Sequence, residues 1–129
     1  MKVNLYQINR FILSGGSATL LHYSVMAFLI FIEVKPIYAT TIGALSGAIF
    51  NYFLQYHYTF KSDKAHLHAI SIYSMAAALG FVSNAVLFLI LHDFLENGVI
   101  ISQLITTLIV TVQNYLVYKN LVFFSKETK

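Results

Sequence analysis

Apolar positions fall in four long blocks separated by short polar breaks. Phe11 to Ile32 runs twenty-two residues without a charge. At about 1.5 Å of helical rise per residue it reaches roughly 33 Å, enough to cross a hydrocarbon core of about 30 Å. Glu33, Val34, Lys35 and Pro36 interrupt it, and the single proline of the chain stands where one helix can end and the next begin. Further blocks run from Ile37 to Tyr58, Ala69 to Leu91 and Val99 to Val122. Between the second and third lies Lys61 to His68, KSDKAHLH, the connection with the highest charge density, and His92 to Gly98 turns the chain before the fourth. The pattern predicts an all-α integral membrane protein with four transmembrane helices over 11–32, 37–58, 69–91 and 99–122. They form a single membrane domain spanning 1–129 and ending in a solvated SKETK tail. The first block is too long for the apolar region of a signal peptide and lacks a small-x-small exit.

The pattern is also doubled. Asn51 to Phe60 reads NYFLQYHYTF, and sixty-three residues later Asn114 to Phe123 reads NYLVYKNLVF. Each copy sets an Asn in an apolar run, follows it with Tyr, and finishes on Phe where charges return. Two helices bring a chain back to its starting side. A duplicated two-helix unit, about 10–60 and 72–123, therefore gives halves of the same orientation related by an axis along the membrane normal. An offset of about sixty-two lays His22 over Asn84 and Ala18 over Gly80.

Composition agrees with a bilayer: 58% of the side chains are hydrophobic and 10% charged, too few charges to cover a soluble globule. The formal charge of +3 is too small to suggest a nucleic-acid partner, and with no cysteine there is no disulfide framework or thiolate metal site. Placement of the charge says more. Lys2, Arg10, Lys61, Lys64, Lys119, Lys126 and Lys129 fall on the side of the termini and the middle connection; the other side has Lys35, with Glu33, Asp93 and Glu96. The positive-inside rule then puts both termini in the cytoplasm, as expected of a multi-pass protein of the inner (plasma) membrane.

Helices in lipid associate through small residues and interhelical hydrogen bonds. The second helix carries Ala39, Gly43, Gly47, Asn51 and Gln55 at spacings of four. The third carries Ala76, Gly80 and Asn84 at that spacing, and the first Ser14, Ala18 and His22. These are the expected contact faces, with Gly43, Gly47 and Gly80 as packing positions. Within them His22, Asn51, Gln55, Asn84 and Asn114 are polar. Unpaired amides and imidazoles in hydrocarbon cost several kcal/mol, so each either bonds across a helix pair or lines a wet cavity. Asn51 and Asn114 lie about 13 Å from the cytoplasmic ends of their helices by helical rise.

At that interface stand Arg10, His57, Lys61 and Lys119 among Tyr52, Tyr56, Tyr58, Tyr115 and Tyr118. Interfacial belts of this kind are common. The functional alternative is a lipid-phosphate site, for which Arg offers a fork and Lys a point charge. An enzyme is not expected: the sequence offers no carboxylate pair, no nucleophile with its base, no metal cluster and no call for a cofactor. His66 and His68 read as solvated residues of the middle connection.

Arg10 and Phe11 followed by Gly15 and Gly16, a polar residue at His22, and the repeated pattern Asn51, Tyr52, Gln55, Tyr58, Phe60 and Asn114, Tyr115, Tyr118, Lys119, Leu121, Phe123 resemble the GtrA-like family. These are small four-helix bacterial membrane proteins of cell-surface polysaccharide modification. The resemblance covers nearly the whole chain. It departs at His22, where the family often has Asp, at Tyr56, which takes a cation position beside His57, and at Lys119, where Arg is more usual.

The resemblance implies transfer of a polyprenyl-phosphate sugar, such as undecaprenyl phosphate glucose, from the inner to the outer leaflet for a separate membrane glycosyltransferase. In that reading Arg10, Lys119, Lys61 and His57 take the lipid phosphate. His22, Asn51, Gln55, Asn84, Asn114 and Tyr118 line the sugar cavity. Membrane lipids are further partners, and small size makes a homo-oligomer an expectation. A non-transporting subunit that holds a glycosyltransferase is the alternative. A small multidrug antiporter is a remote one, since it needs a membrane-embedded carboxylate and the pattern leaves the five acidic residues outside the four helices.

Overall fold

The computed structural model describes residues 4–96 and 98–123. Lys2, Lys126, Lys129 and the SKETK tail lie outside the described residues. The helices are α1 (Leu5–Phe31), α2 (Pro36–Leu54), α3 (His66–Leu89) and α4 (Val99–Val117). Five-residue π turns, Gln55–Thr59, Ile90–Phe94 and Tyr118–Val122, extend α2, α3 and α4. Among the described residues four helices are long and apolar enough to cross a membrane. Their outward positions are large and apolar, among them Leu20, Phe28, Phe81, Leu104 and Leu108, as lipid contact requires.

Several boundaries differ from the apolar blocks. α1 begins at Leu5 because the Asn4 side chain accepts a hydrogen bond from the Gln7 amide at 3.2 Å, capping a turn the hydropathy pattern leaves polar. Arg10 therefore lies inside a helix. His66 and His68 are exposed residues of the first turn of α3, not of a loop. His92 belongs to the π turn Ile90–Phe94, its ring 5.4 Å from that of Phe88. Asp93 belongs to the same turn and so lies inside a helix, at the exposed end of the third span and 4.0 Å from His92. It was expected in a loop; the extra turn gained by the wider backbone reaches it.

The chain divides into two compact units, Met1–Ser62 and Asp63–Lys129, each a helical hairpin. In the first, α1 ends in a Schellman motif: the Val34 amide donates to Leu29 O at 2.9 Å and Glu33 to Ile30 O at 3.0 Å, with Glu33 at a φ of 65° where glycine is usual. α2 starts at Pro36, whose missing N–H is no loss in a first turn. Buried positions on α1 include Phe11, Ser14 and Ala18; those on α2 and its π turn include Ala39, Gly43, Gly47, Gln55 and Thr59, four apart with half-buried Asn51 filling the series.

In the second unit Tyr73, Ala76 and Gly80 of α3 are buried, each sixty-two residues after its counterpart in α1. Ser102, Thr106, Val110, Tyr118 and Val122 are buried sixty-three residues after their counterparts in α2 and its π turn. The same positions face the partner helix in both hairpins even where the residue types differ.

The π turns keep this register. In an α-helix every fourth residue overshoots a full turn by about 40°, so a spacing of four winds around the helix. A wider turn rotates less per residue and removes the overshoot. Gln55 and Thr59 thus return to the α1 side, and the turn closes through Phe60 N to Gln55 O at 2.9 Å; Phe123 N to Tyr118 O repeats the bond at 2.9 Å.

Candidate functional site: a cation over a polar column

In the first hairpin the site forms where the π turn Gln55–Thr59 meets the early turns of α1. Arg10 Nη1 donates to the carbonyl of Tyr58 at 3.0 Å, one of the carbonyls left over at a helix end, and Nη2 donates to the Tyr6 hydroxyl at 2.6 Å. The guanidinium carbon stands 4.2 Å from the Tyr6 ring centre and 4.6 Å from that of Tyr58, within cation–π range. Nε is buried with no partner, and among the described residues no carboxylate lies within ion-pair distance of Arg10.

One turn further along α1, the Ser14 and Thr59 hydroxyls share a buried hydrogen bond of 2.9 Å. Beside them Gln55 Nε2 donates to Asn51 Oδ1 at 3.2 Å and reaches Phe11 O at 3.5 Å, while its Oε1 is buried without a partner. The Phe11 and Phe60 rings meet edge-on at 6.4 Å. Deeper still, the two backbones touch. A Cβ at Gly43 would fall 2.7 Å from His22 O and from the His22 ring, and one at Gly47 2.9 Å from Ala18 O. His22 stacks on Tyr23 at 5.1 Å, and its Nε2 is buried without a partner. The hairpin therefore sets one fixed cation above a column of hydroxyl and amide groups ending at an imidazole.

His57 and Lys61 are exposed at the same end. The imidazole lies parallel to the Phe53 ring at 6.2 Å, and Lys61 holds a φ of 49° where the chain leaves the π turn.

In the second hairpin, Lys64 Nζ donates to the carbonyl of Leu121 at 2.9 Å. Leu121 is sixty-three residues after Tyr58, so the same carbonyl of each π turn receives a cation, by Arg from within α1 and by Lys from the segment before α3. Tyr73 and Tyr118 share a side-chain hydrogen bond with rings 5.3 Å apart, and Phe123 packs on both. Tyr73 against Phe123, at 6.3 Å, repeats the Phe11 and Phe60 contact. Tyr118 thus sits buried in an aromatic cluster. Lys119 Nζ lies 5.7 Å from the Tyr115 ring centre.

Asn114 fills the space that glycine leaves on α3: its Oδ1 is 2.8 Å from where a Gly80 Cβ would be, and that oxygen is buried with no partner. Asn84 is half-buried one turn beyond Gly80. From the sequence Ser14 stood only as a contact-face residue and Lys64 only in the charge distribution; Thr59 was not singled out, nor were Thr106 and Gln113 on α4, where Thr106 Oγ1 and Gln113 Nε2 are also buried without partners. The doubled register was the signal available for Thr59, which follows Gln55 at the stripe's spacing of four.

Fold and site define a multi-pass membrane protein of duplicated helical hairpins, each with a cation fixed on its terminal π turn. Residues 10–123 match the sequence model of the GtrA/DPMS transmembrane domain, and the chain belongs to that family, whose members handle polyprenyl-phosphate sugars. No curated protein sequence matches the chain.

Proposed function

We propose that the protein is a carrier, not an enzyme, that passes a polyprenyl-phosphate sugar, with undecaprenyl phosphate glucose as the type, from the inner to the outer leaflet. A separate glycosyltransferase then uses the sugar on a cell-surface polymer. In this reading the termini and the Arg10 end of the first hairpin face the cytoplasm, in accord with the distribution of Lys and Arg.

The observation that carries the reading is Arg10. Its charge has no carboxylate partner among the described residues, it is held by Tyr6 and Tyr58, and it heads a polar column inside a membrane span. A phosphate is the anion such a headgroup-level guanidinium suits. The polyprenyl tail stays in lipid beside the exposed apolar faces, and amides supply donors and acceptors for sugar hydroxyls. The test is surface sugar display in cells carrying Arg10→Ala. Display falls at least tenfold at normal protein levels if this cation captures the phosphate; undiminished display refutes it.

A further inference from the structure

The two hairpins share a register but not a fit. Gly43 and Gly47, which let α1 and α2 touch, correspond at the offset of sixty-three to Thr106 and Val110 of α4. Both side chains are β-branched and buried, and α3 and α4 approach each other less closely than α1 and α2. The second hairpin is thus the more loosely packed of the two.

Its interface is also the one whose hydroxyl breaks a rule. Thr19, Thr41, Ser46, Ser71, Ser74 and Thr111 each donate to the carbonyl four residues back, the usual way a hydroxyl is satisfied in a membrane helix. Thr106 does not: it is 0% exposed and its Oγ1 has no partner. Seven and eight positions on, two helical turns along the same side of α4, Gln113 Nε2 and Asn114 Oδ1 are buried and unpartnered as well. One hydroxyl, one donor and one acceptor are thus aligned and unsatisfied in the closed hairpin.

We propose that the second hairpin holds the sugar subsite, in which Thr106 and Gln113 join Asn114 in binding the hydroxyls of the lipid-linked sugar when α3 and α4 part. This rests on the carrier reading above. A hydroxyl-rich headgroup supplies donors and acceptors together, as this set requires. The closed hairpin leaves three polar groups unsatisfied, and a sugar that bonds them stabilises the open form relative to it.

The test uses the full chain in nanodiscs, with Thr106→Val and Thr106→Ser, and measures binding of undecaprenyl phosphate glucose and of bare undecaprenyl phosphate together with thermal stability. Valine keeps the β-branched shape and removes an unsatisfied hydroxyl. It is expected to leave the melting temperature equal or higher, weaken the glucose lipid about tenfold and leave the bare lipid unchanged, while serine restores binding. Wild-type binding of the glucose lipid by Thr106→Val, equal loss of both lipids, or no preference of the unsubstituted protein for the glucose lipid overturns the subsite. Failure of the unsubstituted protein to bind either lipid removes the carrier reading as well.

Discussion

Adding one methyl group at successive glycines measures how the first hairpin is held. A Cβ at Gly43 would lie 2.7 Å from a backbone oxygen and one at Gly47 2.9 Å, against ordinary contact beginning near 3.4 Å. The shortfall, about 0.5 to 0.7 Å, cannot be absorbed by a side-chain rotation, so the helices must separate and weaken the Ser14 to Thr59 bond, which lies one or two turns away along α1. Overpacking of this kind costs about 1–3 kcal/mol. At Gly80 the obstacle is the end of the Asn114 side chain, 2.8 Å away, which can swing aside, and a loss below about 1 kcal/mol is expected. At Gly15 and Gly16 nothing lies within 4 Å, and alanine should stabilise by up to about 1 kcal/mol through helix propensity. Unfolding of the five Gly→Ala variants in detergent, titrated with a denaturing surfactant, gives the order. If Gly43→Ala and Gly47→Ala are as stable as Gly15→Ala, direct backbone contact does not hold this hairpin.

Three further expectations follow from individual contacts. Ser14→Ala leaves the buried Thr59 hydroxyl without its partner and should cost about 1–3 kcal/mol, while Ser14→Ala with Thr59→Val recovers most of it; additive losses in a double-mutant cycle would exclude the bond. Glu33→Gly relieves a left-handed backbone and should raise stability by about 1 kcal/mol in the same unfolding assay, a gain that Glu33→Ala does not give. Lys64→Met removes the cation on Leu121 O and should speed amide hydrogen exchange across the π turn Tyr118–Val122; unchanged exchange there means the lysine does not hold the turn.

Much of the architecture was legible in the sequence because hydrocarbon admits so few solutions. Charge-free runs of helix length fix four spans, and spacings of four on Gly43, Gly47 and Gly80 mark the faces that helices present to each other. The ends were harder. Asn4 is an ordinary N-cap signal, but it lies outside the apolar block, and hydropathy alone starts α1 six residues late. The π turns have no propensity signal, since a Gln, a Tyr or an Ile suits an α-turn equally; they arise from keeping Gln55, Thr59 and their counterparts on the contact side. Arg10 was legible as a cation at the interface, yet its use as a cap on Tyr58 O depends on where the turn ends. Thr106 carries no sequence signal, because a threonine in a membrane helix ordinarily bonds its own backbone and only the folded structure distinguishes one that does not.

The most direct measurement of the carrier reading is leaflet-resolved movement of undecaprenyl phosphate glucose in proteoliposomes containing only the purified protein, read with a membrane-impermeant probe of the sugar. The account predicts movement well above empty vesicles, reduced at least tenfold by Arg10→Ala. No movement above empty vesicles with folded protein, across several lipid-linked sugars, contradicts it.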